Sequence, residues 1–412
     1  MSADGERPLG RIAALDLIRG IAVLGILTMN IWGFAAAPSL NYSPDLPSPG
    51  SLADRALWFA NLLLFEGKMR ALFSILFGAS LLLFIERMEA AERDGMGLQL
   101  RRLGWLAGFG LLHYYLLWQG DILFLYAAVG LVALSFRRAP PLALVATALF
   151  AFTLWQGFNW FQWQPAVAAE SAVAAGAATP AQTKQHEAAL AHYQAEDREH
   201  VQVLRQGWSA VVGHTVREEA ARPLIMVLFV SSETLTYILF GMALFKSGFF
   251  VGEWPRRQLL GLALGGIALG GLATGAFALW ANAAQFQPSA MRFALNYGLS
   301  FPHLAMGLGY AAVLMLLAPR LLRSALGVRL VAAGRMAFSN YIATSAVMTG
   351  LFYGWGLGLI GRYGPATLWL FVLLGWALML GWSKPWLARF RQGPLEWLWR
   401  SLTEGRKLPL RR

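Results

Sequence analysis

Residues 223–246 read PLIMVLFVSSETLTYILFGMALFK, a run of 24 residues with one acid, Glu233, and one base, Lys246, at its very end. About 20 predominantly apolar residues suffice for a helix to cross a hydrocarbon core roughly 30 Å thick. The run shows none of the strict alternation of a membrane β-strand. Comparable stretches recur from Leu17 to Trp382. In lipid only helices and closed barrels satisfy every backbone polar group. The expected fold is therefore all-α, a polytopic transmembrane helical bundle of about ten spans.

Those spans are read at 17–36, 57–86, 103–119, 121–136, 141–161, 223–246, 257–281, 294–317, 336–358 and 365–383. The second is long for one straight helix, and an interfacial helix joined to a span near Gly67 explains it. Four regions follow: an N-terminal bundle over 1–161, a polar segment over 162–222, a C-terminal bundle over 223–383 and a basic tail over 384–412. The first span follows Arg11 and ends near Ala35-Ala36-Ala37, in the manner of a signal peptide. It is too long for one and carries Asp16 and Arg19 at its start, so an uncleaved span is expected.

Composition agrees with this class. The chain is 57% hydrophobic and 14% charged, with mean hydropathy +0.50. A soluble domain rarely has such a composition. Seventeen Trp and eleven Tyr suit interfacial belts. With no Cys, disulfides and thiolate chemistry are excluded. The net charge of +12 comes from bases spread along the span ends, without the aromatic-interleaved patch of a nucleic-acid binder. With the N-terminus inside, 23 Lys and Arg fall in inside segments and 8 in outside segments, and Arg19, Lys68 and Arg70 lie within spans. The positive-inside rule then puts both termini in the cytoplasm of a bacterial inner membrane. The 162–222 segment, with His186, His192 and His200, is read as a solvated outer helix; the histidine spacing favours no metal site.

Seven ionisable residues fall inside spans: Asp16, Arg19, Glu66, Arg70, His113, Glu233 and His303. A charge at the bilayer centre costs roughly 2.5–3.5 kcal/mol on insertion scales, so such residues pair, face cavities or do chemistry. Asp16, Arg19 and Asn30 share one helix face, and Asp16 and Arg19 are three apart, able to pair. Glu66 and Arg70, four apart, can pair in the same way, and the four residues are expected in one buried network. Ser74 and Gly78 form a small-residue packing face. His113 lies about ten residues into its span, where it serves either as a proton carrier or as a packed, hydrogen-bonded side chain. Asp121 follows at the outer mouth. Glu233 and His303 lie at similar depth, and Pro302 beside His303 can free a backbone carbonyl. Arg335 and Asn340 open a polar entrance on the cytoplasmic side, with Ser339 and Tyr341.

Five motifs, LDLIRG at 15–20, FEGKMRALFSILFG at 65–78, GDILFLYA at 120–127, GRMAFSNY at 334–341 and GPLEWLWRSLT at 393–403, resemble the YeiB family over nearly the whole chain. LDLIRGIAVLGILTMN at 15–30 also resembles, more distantly, the first span of transmembrane acyltransferases: the type-three acyltransferases and heparan-α-glucosaminide N-acetyltransferase. A His usually stands at the Asn30 position in the former. In the latter an Asn stands there and a His follows the span; here Asn41 falls near that place. The resemblance implies an acyl-CoA donor entering from the cytoplasm and an acceptor on the far side.

Two functions are then expected. One is an acyltransferase with His113 as general base, oriented by Glu66, with Asp121 and Asn30 in the same site. Arg19, Arg70 and Arg335 would hold the donor's phosphates, and Asp16, Glu233, His303 and Asn340 would line the substrate path. The other is a proton-coupled transporter or lipid translocator relaying protons through Glu66, His113, Glu233 and His303. Membrane lipids and a small-molecule, glycan or lipid acceptor are the expected partners. Nucleic acid and metal are not expected, and a homodimer is compatible with the sequence.

Overall fold

The computed structural model describes residues 13–46 and 49–412; Arg11 lies outside them. Sixteen α-helices follow in order among the described residues: α1 Ala13–Ala35, α2 Leu52–Leu64, α3 Lys68–Glu89, α4 Gly95–Leu116, α5 Leu123–Leu134, α6 Pro141–Ala174, α7 Pro180–Leu204, α8 Trp208–Glu218, α9 Arg222–Lys246, α10 Arg256–Ala283, α11 Pro288–Phe293, α12 Ser300–Leu321, α13 Ala325–Arg335, α14 Ala337–Phe352, α15 Pro365–Arg389 and α16 Pro394–Glu404. They form no β-strand; the one β-type pairing is an isolated bridge from Phe390 to Arg411.

Among the described residues, seven helical segments are long and apolar enough to cross a membrane by length and composition: α1, α2 with α3, α6, α9, α10, α12 and α15. The spans expected at 103–119, 121–136 and 336–358 are helical as α4, α5 and α14. The 12 residues of α5 rise only about 18 Å and the 16 of α14 about 24 Å, less than a hydrocarbon core. α4 is long enough, but Gln99, Arg101 and Arg102 dilute its first half.

The centre of the bundle is α1. Leu17, Ile18, Ala22 and Ile31 are wholly buried, and the helix packs on α3, α12, α13, α14 and α15. α3 also packs on α9, where Gly78 lies against the Ile238 carbonyl and Gly241 against that of Ile75; a Cβ at either would collide with backbone. The small-residue face expected at Gly78 is thus a close helix crossing. By contrast, α10 buries a stripe including Ala263, Gly266, Gly270 and Thr274 against α12, while Leu264, Leu272 and Leu279 point outward. Outward leucines of this kind suit contact with lipid.

Beyond the expected span end at 161, α6 continues to Ala174, and α7 and α8 follow. α7 is docked on the bundle: Asp197 accepts from the Ser39 N–H at 2.9 Å, and Glu196 pairs with Arg292 at 3.0 Å.

Candidate functional site

Three polar sites lie along the bundle. The first is built by the turn between α4 and α5. The Leu117 and Trp118 N–H groups both donate to the His113 carbonyl, which ends α4 and turns the chain back. Asp121 then starts α5, its Oδ2 accepting from the Phe124 N–H at 3.0 Å. That bond fixes the carboxylate, and its Oδ1 lies 2.8 Å from His113 Nδ1. Both side chains are almost wholly buried, at 1% and 2% exposure. His113 Nε2 has no protein partner. With Asp121 ionised, the proton belongs on Nδ1 and the lone pair on Nε2, the arrangement of an oriented general base.

The ring of His113 lies 5.1 Å from that of Tyr341 and 6.1 Å from that of Trp118, which in turn stacks on Phe34 at 4.1 Å. Tyr341 and Phe34 also line a small open pocket with Asn30, Thr344, Ser345 and Met379. Tyr341 thus touches both the His113 ring and the pocket that Asn30 lines. Glu66 is not the group that orients His113; Asp121, eight residues along the same hairpin, takes that place.

The second site is the break between α2 and α3. The helix stops at Leu64 and restarts at Lys68, with Gly67 at φ +72°, a conformation suited to glycine. Side chains satisfy carbonyls that the break exposes: Lys68 Nζ, itself wholly buried, donates to the Leu62 carbonyl at 2.6 Å, and the Tyr310 hydroxyl donates to Leu64 at 3.0 Å. Arg70 pairs with Glu233 of α9 at 3.1 Å, not with Glu66. Glu66 lies in the break, so the i,i+4 geometry of a continuous helix does not carry it onto Arg70, although the charges of Arg70 and Lys68 act on it. The Tyr237 hydroxyl donates to Glu233 Oε1 at 2.7 Å. His303 is fully buried with its ring against Gly67, and neither ring nitrogen has a protein partner. Pro302 lies in the first turn of α12, where its missing N–H is tolerated, so it frees no interior carbonyl.

The third site is the basic end of the bundle. Asp16 and Arg19 pair at 3.0 Å, and Arg19 also donates to Ser80 at 2.8 Å. Ser80 is ten residues along α3 from Arg70, about 15 Å. The expected four-residue network is therefore two: Asp16 with Arg19, and Arg70 with Glu233. Arg335 donates to the Arg391 carbonyl at 2.9 Å. Asn340 is wholly buried, donating to Ala333 and Ser383 and accepting from the Trp382 indole at 2.7 Å. Glu396, not singled out from the sequence, accepts from the Phe338 and Ser339 N–H groups and the Ser339 hydroxyl, capping the start of α14. Burial pushes its carboxyl above the usual range, and these hydrogen bonds oppose the shift. The GRMAFSNY and GPLEWLWRSLT motifs thus meet at Glu396. Tyr237 and Lys68 were also missed as site residues. Tyr237 stands four residues after Glu233, a spacing that could have marked it.

Fold and sites together define a polytopic helical membrane protein whose interior ionisable residues are mostly paired. The chain belongs to the YeiB-like family. Residues 244–406 match the family model described as "Protein of unknown function (DUF418)". Uncharacterized protein YxaH of Bacillus subtilis (strain 168) is 32% identical, covering 95% of this chain and 94% of its own length. Uncharacterized protein YeiB of Escherichia coli (strain K12) is 28% identical over 95% of this chain and 96% of its own. No solved structure matches.

Proposed function

We propose that the protein is an integral membrane acyltransferase of the bacterial inner membrane, with both termini cytoplasmic. An acyl group passes from an acyl-CoA donor to a hydroxyl or amine acceptor at or across the membrane. The observation that supports this reading is the His113–Asp121 pair: an imidazole held at one nitrogen by a buried carboxylate, with the other nitrogen without a protein partner and the ring beside Tyr341. His113 Nε2 takes the proton of the acceptor as its oxygen or nitrogen attacks the thioester carbonyl. The C–S bond breaks, and the imidazolium returns the proton to the leaving thiolate. Asp121 positions the ring and stabilises its charged form. Asn30 and Tyr341 line the neighbouring cavity.

Turnover of a labelled acyl-CoA by the purified full chain in lipid nanodiscs tests the reading. Loss of a general base lowers rates typically 10²–10⁴-fold. His113→Gln is expected to lower turnover by about that much with the thermal transition kept. Full turnover in a folded His113→Gln variant would overturn the assignment.

The broken helix favours a second reading, proton-coupled transport, because discontinuous helices with charges at mid-membrane recur in transporters. Substrate flux in sealed vesicles without acyl transfer would establish it instead.

A further inference from the structure

At the basic end, guanidinium groups from three helices converge. Arg19 of α1 donates to Ser80 of α3. Four residues along the same face of α3, the Phe84 ring lies 4.2 Å from the Arg102 guanidinium of α4. The Trp399 ring of α16 lies 4.5 Å from the same guanidinium, and its indole N–H donates to the Arg102 carbonyl at 2.9 Å. Arg400 follows Trp399 directly in α16, and the positive charges of Arg19 and Arg400 both act unfavourably on Arg102. The nearby carboxylates are otherwise engaged. Asp16 pairs with Arg19, and Glu404, whose charge also reaches Arg400, is held by Arg93 at 2.6 and 3.1 Å.

An aromatic clamp fixes the plane of a guanidinium and keeps its edge N–H groups outward. Holding like charges together in such a clamp is unfavourable until an anion enters, and planar guanidinium edges match phosphate oxygens. We propose that Arg19, Arg102 and Arg400 form a binding site for a phosphate group, carried by an anionic phospholipid headgroup or by a soluble phosphorylated ligand. The site replaces the expected grouping of Arg19 with Arg70 and Arg335: Arg70 pairs with Glu233 about 15 Å along α3 from Ser80, and Arg335 donates to the Arg391 carbonyl. It does not rest on the acyl-transfer reading, since binding is measured without turnover.

The full chain in phosphatidylcholine nanodiscs is titrated separately with coenzyme A and with phosphatidylglycerol, reading Trp fluorescence and thermal stability. Binding of at least one probe is expected, weakening as salt rises and falling at least tenfold in both Arg102→Gln and Arg400→Gln. Arg102→Lys, which keeps charge but loses the planar edge, is expected to weaken binding as well. Response to phosphatidylglycerol alone assigns the phosphate to lipid, and response to coenzyme A alone to a soluble ligand. A response to both shows phosphate recognition without selection of the carrier. Arg400 is exposed, so its variant tests the site where Arg102→Gln disturbs folding. Failure of both probes to bind, or binding unchanged in a folded Arg400→Gln, overturns the proposal.

Discussion

His113 and His303 are both buried in the bundle, yet their surroundings differ. His113 is fixed through a short hairpin: the turn that ends α4 also starts α5 with Asp121, and one carboxylate serves both helix and ring. His303 lies against the Gly67 break, where Arg70 and Glu233 neutralise each other across 163 residues of chain and the imidazole has no carboxylate partner. Burial and depth alone therefore do not make a base. A carboxylate held by its own local structure makes one nitrogen a donor and the other an acceptor.

The largest expected effect breaks the long-range half of this contrast. Removing one partner of a buried ion pair typically costs 3–5 kcal/mol, because the remaining charge is stranded. Arg70→Ala is expected to destabilise by about that amount, read as a lowered thermal transition. Adding Glu233→Gln, which removes the stranded charge and keeps an acceptor for Tyr237, is expected to restore much of it. Equal instability of single and double variants would show that Glu233 does not need Arg70.

Next in size is the local half. Asp121→Asn keeps the shape and an oxygen for the Phe124 N–H but cannot stabilise an imidazolium. Under the acyl-transfer reading, turnover is expected to fall roughly 10²-fold or more while the thermal transition moves little. A variant that instead unfolds would make the pair structural.

The smallest effect lies outside the spans. In α7, burial and, to a lesser degree, Arg222 push the His200 imidazole down to about 4, against the opposing pull of Asp197 and Glu219. The unfolded chain then binds more protons than the folded one between about pH 6.5 and pH 4. Stability is full above that window and falls as pH drops through it; a shift of about 2.5 units at 1.4 kcal/mol each sets an upper bound of about 3.5 kcal/mol, and the partial exposure of the ring reduces it to about 2 kcal/mol. His200→Leu is expected to flatten this slope in a pH series of thermal transitions. An unchanged slope would assign it to other groups.

The all-α membrane class was legible because apolar runs of about 20 residues have one physical solution. The break near Gly67 was legible from the length of the second run and its glycine. His113 and Asp121 were both named from the sequence and placed in one site, with Glu66 as the orienting group. What could not be read was which helices are neighbours. Charge spacing offered Glu66 to Arg70, and only the packing of α3 on α9 brings Glu233 there. The same limit hid Ser80 from Arg19 and Glu396 from Ser339. The expected number of about ten spans is not confirmed: α5 and α14 are apolar but shorter than a hydrocarbon core.

The joint at Gly67 also has a mechanical meaning. An unbroken helix over Leu52–Glu89 would be one stiff rod, so any tilt at one end would be felt in full at the other. Here the rod is cut in two. α2 is seated on α10 and α15, and α3 on α1, α9 and α12. Lys68 and Tyr310 act as struts tying carbonyls at the end of α2 to its neighbours. Lys68, Tyr310 and the ring of His303 are thus the side chains that bridge the two halves at the joint.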